Sequence, residues 1–163
     1  METKSPGKIE LRHFETSPEL AEIKISYKSK RKGKIKVIHS KEAFDILYPL
    51  FGKDTIEYQE QFYLLMLNKC NNVLGWIKLS VGGTAGTVAD PKMIFALALQ
   101  TNASGIILSH NHPSGNVHPS ESDISLTKSI SASGKLLDIQ LLDHIIIASD
   151  GSYYSFADNG ALY

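Results

Sequence analysis

The 163-residue chain has one cysteine, one tryptophan and no net charge. A lone cysteine, Cys70, excludes an internal disulfide framework and suits a reducing compartment. No apolar run approaches the roughly 20 residues that cross a membrane. The opening METKSPGKIELRHFETSPEL lacks the apolar stretch of a secretory leader. A cytoplasmic protein without a membrane association is therefore expected. Seventeen basic and seventeen acidic residues cancel, so the overall charge points to no partner. Gly82-Gly83-Thr84-Ala85-Gly86 is not followed by Gly-Lys-Ser/Thr, which excludes a phosphate-binding loop; the stretch could instead border a substrate groove.

What is present is the composition of a folded domain: 42% hydrophobic and 21% charged residues. A chain of this length buries roughly 70% of its unfolded surface. The charge is unevenly placed. Lys24, Lys28, Lys30, Arg31, Lys32, Lys34 and Lys36 fall in thirteen residues without an acid, which leaves ten basic residues against seventeen acids elsewhere. The segment is read mainly as a solubilising hairpin loop that discourages strand aggregation. The functional alternative is a weak, non-specific and salt-dependent contact between Lys24–Lys36 and nucleic acid.

Residues 1–20 show no sustained period. Residues 21–55 are expected to hold a hairpin, Glu22–Tyr27 with Lys34–Ile38, and a helix from Ser40 with Ala43, Phe44, Ile46, Leu47 and Leu50 on its apolar face. Residues 56–163 then alternate strands and helices. Gln61–Leu67 and Val73–Val81 flank the turn Asn68–Asn72. Asp90-Pro91, a capping acid before a first-turn proline, starts a helix to about Asn102. Gly105–His110 is an apolar strand of the kind covered on both faces. A third helix runs from Ser120 to about Leu136, and strands at Ile139–Ala148 and Tyr153–Phe156 close the chain. This order favours an α/β fold, a mixed sheet flanked by helices.

The chemistry concentrates in residues 109–123, SHNHPSGNVHPSESD. His110 and His112 end a strand, where residues two apart share a face at a spacing of roughly 6–7 Å. Two imidazoles there can converge on one ion. Asp123 follows in the next helix, brought back by Pro113, Gly115 and Pro119. Two histidines and one aspartate leave a fourth position open, as in a catalytic zinc site, and zinc is the first choice for this donor set. Ser120 and Asp123 also form a capping pair, S-x-x-D. The cap alone accounts for them, but a first-turn acid can serve both purposes. His118 falls outside the ligand pattern and reads as a solvated loop residue. Cys70 has no activating base nearby. Asp143-His144 reads as structural, or as a charge-assisted pair.

His110, His112, Ser120 and Asp123 fill the pattern H-x-H-x(7)-S-x(2)-D. It resembles the motif of the JAB1/MPN/Mov34 (JAMM) metalloenzymes, and the wording HNHPSGNVHPSESD, with LLDHIII later, resembles their RadC-like branch. The likeness runs from about Glu60 to Phe156. It implies a cytidine deaminase-like JAB/MPN fold over 56–163 and a glutamate opening the strand beside the metal strand. Glu60 matches that place; periodicity alone does not choose it over Glu57.

The mechanism implied is zinc-dependent hydrolysis of a peptide or isopeptide bond in a peptide or protein substrate. Glu60 would serve as base and acid and Ser120 as oxyanion donor. A base deaminase is a remote second reading, because its P-C-x-x-C ligands are missing. The third reading is a RadC-like module linked to DNA repair or nucleic acid, with zinc and without peptidase activity. Against a DNA role, the first 55 residues lack the helix-hairpin-helix of longer relatives. The sequence sets neither the substrate nor the oligomeric state.

Overall fold

The structure is a computed structural model that describes residues 34–82 and 89–162. Five strands form one sheet in the order β2-β1-β3-β4-β5. They are β1 (Gln61–Leu67), β2 (Val73–Val81), β3 (Gly105–Asn111), β4 (Gln140–Ile147) and β5 (Tyr153–Ser155). The helices among the described residues are α1 (Ser40–Leu47), continued by a short 3-10 turn at Tyr48–Leu50, α2 (Pro91–Gln100) and α3 (Glu121–Leu136). β3 and β4 run parallel and the other neighbours antiparallel. The sheet is thus mixed and flanked by helices, as the sequence implied.

β1 and β3 are buried at every position, because both of their faces are covered. On one face Phe62, Leu64, Met66, Ile106 and Leu108 pack with Ile94, Phe95 and Ala98 of α2 and Ile130 of α3. On the other, Tyr63, Leu65, Leu67, Ile107, Ile145 and Ile147 pack with Ala43, Phe44 and Leu47 of α1. Two full hydrophobic layers explain why these strands read as unbroken apolar runs rather than alternating ones.

Local chemistry sets the element ends. Asp90 caps α2 by accepting from Lys92 N at 2.9 Å. Ser120 and Asp123 cap α3 reciprocally, so the expected start at Ser120 moves one residue and Ser120 becomes the cap. α3 delivers the chain to β4 through a close approach: a Cβ on Gly134 would stand 2.2 Å from the Ile139 carbonyl oxygen, so no larger residue fits without moving the backbone.

Lys34–Ile38, expected as a strand, bridges among the described residues only at Lys36, to Asn72. Val37 N donates to Asn71 O and Val73 N to Ile35 O, and the chain then turns into α1. The partner segment Glu22–Tyr27, the loop KSKRKG, the irregular opening and residues 83–87 of the glycine-rich link lie outside the described residues.

A candidate metal centre at the end of the central strands

β1 and β3 are antiparallel with Phe62 opposite His110. The start of β1 and the end of β3 therefore meet at one end of the sheet, and the capped start of α3 comes to the same place. His110 Nε2 lies 3.0 Å from His112 Nε2 and 3.2 Å from Asp123 Oδ1. His112 Nε2 is 3.5 Å from Asp123 Oδ2. His110, His112 and Asp123 could hold a metal ion. Three atoms bound at about 2.0–2.1 Å to one tetrahedral ion stand roughly 3.3 Å apart; His110 Nε2 meets that spacing with both His112 Nε2 and Asp123 Oδ1, and one ligand atom from each of the three residues lies within 4.8 Å of the others.

The protons fit as well. His112 Nδ1 is 2.6 Å from the Asn116 carbonyl oxygen, which can only accept, so Nδ1 carries hydrogen and the neutral ring offers Nε2. Asp123 Oδ2 accepts from Ser120 N at 2.7 Å and from Ser120 Oγ at 2.6 Å. That leaves Oδ1 as the free oxygen. The cluster attracts positive charge: the Asp123 hydrogen bond holds the His112 imidazole above its usual range. Burial pushes the Asp123 carboxyl up, but hydrogen bonds from His110, His112 and Ser120 outweigh it and hold the group far below the ordinary carboxylate range.

Behind His110 stands His144 of β4, fully buried. Its Nε2 is 2.9 Å from His110 Nδ1 and its Nδ1 is 2.8 Å from Thr127 Oγ1. Burial, followed by the nearby His110, holds its pKa well below the usual value. Phe62 stacks on His110 with ring centroids 5.4 Å apart, and Phe156 stacks on His144 at 5.0 Å. Of the two readings of Asp143-His144, the structural one matches the geometry and the charge-assisted side-chain pair does not form. Successive strand residues face opposite ways, so only the His144 backbone N reaches Asp143 Oδ1, at 2.7 Å. The Asp143 carboxylate instead accepts from Ser155 Oγ and Ala157 N and ties down the turn after β5.

In front of the cluster is a cleft of about 730 Å³ lined by Glu57, Tyr58, Glu60, His112, His118 and Ser120, among others. Glu60 and Ser120 both border it. His118, expected as a solvated loop residue, is exposed and also forms part of the wall. Gly82 N donates to Glu60 O, so the glycine-rich link departs beside Glu60. Asn111, between the two histidines, faces the opposite side. Its Oδ1 accepts from Gln61 N at 2.8 Å, and its Nδ2 donates to Ile56 O at 2.7 Å and Gln59 O at 3.0 Å. It thereby pins the segment that carries Glu57 and Glu60 to the end of β3, which carries His110 and leads directly into His112. Cys70 is exposed in the β1–β2 turn, remote from the site in sequence.

The sequence analysis named His144 as structural or as a partner of Asp143, not as a neighbour of His110, and it missed Thr127 and Asn111. A histidine entering the apolar run Ile145–Ile147 was the available signal for that contact. The other two carry no sequence signature.

This fold, with a His-His-Asp group at the end of its central strands, places the chain in a known class: it belongs to the RadC-like JAB domain family, which matches residues 37–161. Among named relatives it is similar to a UPF0758 protein of Flavobacterium johnsoniae, 45% identical over 125 residues, or 77% of this chain and 53% of that protein. It is 47% identical over 104 residues to a UPF0758 protein of Porphyromonas gingivalis, covering 64% of this chain and 46% of that protein. A UPF0758 protein of Aquifex aeolicus is 35% identical over 131 residues, 80% of this chain and 54% of its own length. The chain spans about half the length of the curated relatives it matches. No helix among the described residues is long and apolar enough to cross a membrane.

Proposed function

We propose that this chain is a cytoplasmic zinc-dependent hydrolase that cleaves a peptide or isopeptide bond. The observation that carries this reading is the convergence of His110 Nε2, His112 Nε2 and Asp123 Oδ1 at the wall of a cleft that Glu60 also lines. Zinc held by those three residues would act as a Lewis acid and lower the pKa of water to about 7.

The chain's own groups do the rest. The Glu60 carboxylate takes a proton from the attacking water and delivers it to the leaving amine, a role worth about 10² to 10⁴ in rate. The Ser120 hydroxyl, now bonded to Asp123 Oδ2 and 2.7 Å from Ser122 Oγ, turns to donate to the developing oxyanion. Asn111 fixes the backbone beneath Glu60. Among the described residues the cleft lining includes two carboxylates, Glu57 and Glu60, and no lysine or arginine. Such a wall suits a neutral or cationic peptide and repels a phosphate backbone.

The alternative, a DNA-repair-linked zinc module without peptidase activity, predicts metal without cleavage. Zinc-loaded protein is incubated with fluorogenic peptide and isopeptide libraries, alongside Glu60→Gln. Zinc-dependent cleavage that disappears in Glu60→Gln supports the hydrolase. Cleavage untouched by Glu60→Gln, or zinc-loaded protein inert on every library, overturns it.

A further inference from the structure

His110, the most deeply buried of the three metal-binding side chains, is not oriented by a carboxylate or a carbonyl. Its Nδ1 meets another imidazole, His144, and behind that a hydroxyl, Thr127. The hydrogens in this chain can be assigned from one end. Thr127 Oγ1 is 2.6 Å from the Asp123 carbonyl oxygen, which has no proton to give, so the single hydroxyl hydrogen points there. Towards His144 the same oxygen can only accept, and His144 Nδ1 must carry a hydrogen. The His144 ring is fully buried, and its nitrogens face an imidazole and a hydroxyl but no carboxylate, so it holds one proton and its Nε2 is bare. His110 must then donate from Nδ1, so in the neutral ring that binds a metal it is Nε2, directed at the cluster, that is bare.

We propose that Thr127 and His144 form a buried relay that fixes the tautomer of His110 and thereby prepares its Nε2 to bind the metal; this rests on the zinc reading above. The relay starts and ends on metal-binding residues, since Thr127 is anchored to the backbone of Asp123 and His144 to the ring of His110. It therefore locks α3, β4 and β3 into one geometry. Without the hydroxyl acceptor, His144 is free to carry its proton on Nε2. That proton would drive the His110 hydrogen onto its own Nε2, where it blocks the metal. Both His144 and Thr127 are positioning residues, because neither borders the cleft.

The test combines zinc affinity, measured by chelator competition, with nitrogen NMR of the histidine rings in zinc-free and zinc-loaded protein. In wild type, His144 is expected to be protonated at Nδ1 and bare at Nε2 in both forms. Thr127→Val keeps the side-chain volume and removes the acceptor. It should weaken zinc binding by about 10- to 100-fold, the usual effect of losing a partner behind a metal-binding histidine, and it should move the His144 proton to Nε2. Thr127→Ser restores the hydroxyl and should restore both readings, which a merely structural role for the methyl group would not produce. A wild type that takes no zinc overturns the metal reading itself. A wild type that takes zinc with His144 protonated at Nε2 overturns the relay, and so does a folded Thr127→Val with unchanged affinity and tautomer. If Thr127→Val does not fold, the wild-type tautomers and the Thr127→Ser affinity still decide.

Discussion

His110 and Glu60 stand at the same end of the two central strands, yet they are held in different ways. His110 is fully buried. Its ring is stacked by Phe62 and bonded through Nδ1 to His144. Glu60 is half-buried at the cleft wall, and what is fixed around it is backbone: Gly82 N on its carbonyl oxygen, and Asn111 on its neighbours Gln59 and Gln61. One half of the site is a packed polar network with its donors and acceptors matched. The other is a carboxylate on a pinned segment, facing solvent. The first arrangement suits an ion that must be held in one geometry. The second suits a base that must meet substrates and shift protons. The comparison predicts that changes in the first half act on metal and changes in the second act on turnover.

The largest effect should come from breaking the buried half. His110→Ala with His112→Ala removes two of three candidate ligands and should weaken zinc binding by well over the roughly 100-fold that losing an outer partner causes. Elemental analysis of purified protein should fall from about one zinc per chain to none. Equal metal in both proteins sinks the site. Glu60→Gln probes the other half. Zinc content should stay near wild type while turnover of any cleaved substrate drops about 10² to 10⁴-fold. Lost zinc in this variant would show that the halves are not separate.

Asn111 joins the two halves, and its removal should separate stability from metal. Asn111→Ala leaves the buried Gln61 N without its acceptor and two carbonyls without their donor, at about 1–3 kcal/mol for each group that water cannot reach. For a chain of this size that lowers Tm by roughly 2–4 °C per kcal/mol. Asn111→Asp keeps an acceptor for Gln61 N but sets an oxygen against the carbonyls of Ile56 and Gln59, so it should be no more stable than alanine. In both, zinc affinity should change less than turnover. A variant that melts like wild type would show that the clamp contributes nothing.

These distinctions mark how far the sequence was legible. The strands and helices of residues 40–155 could be read because apolar runs, the Asn68–Asn72 turn and the Asp90-Pro91 cap are local signals. The metal group could be read because its geometry is also local: two strand residues two apart, and an acid fixed in the first turn of a helix by Ser120. His144 lies thirty-four residues from His110, and only the parallel pairing of β3 with β4 brings the rings together. Asn111 shows nothing in the sequence, because its role depends on what packs against the far face of β3.

The smallest expected effect concerns Asp143, beside His144 in sequence but on the opposite face. Burial pushes its carboxyl above the ordinary aspartate value, against the opposing hydrogen bonds from Ser155, Ala157 and the His144 backbone. A carboxyl whose folded pKa is raised binds its proton more tightly in the folded state. Its ionised form therefore works against folding at neutral pH, and that cost is relieved as pH falls through the folded pKa towards the unfolded one. Asp143→Asn is close to isosteric and cannot ionise, and its amide can meet Ser155 Oγ as a donor because the hydroxyl can turn to accept. The variant should thus compare best with wild type at pH 7 and lose ground as pH approaches 4, when the native aspartate gains its proton. Denaturant unfolding of both proteins at the two pH values gives the sign directly. A difference that does not change with pH, or that grows in favour of Asp143→Asn on acidification, would mean that the three hydrogen bonds outweigh burial and that Asp143 is held as a carboxylate.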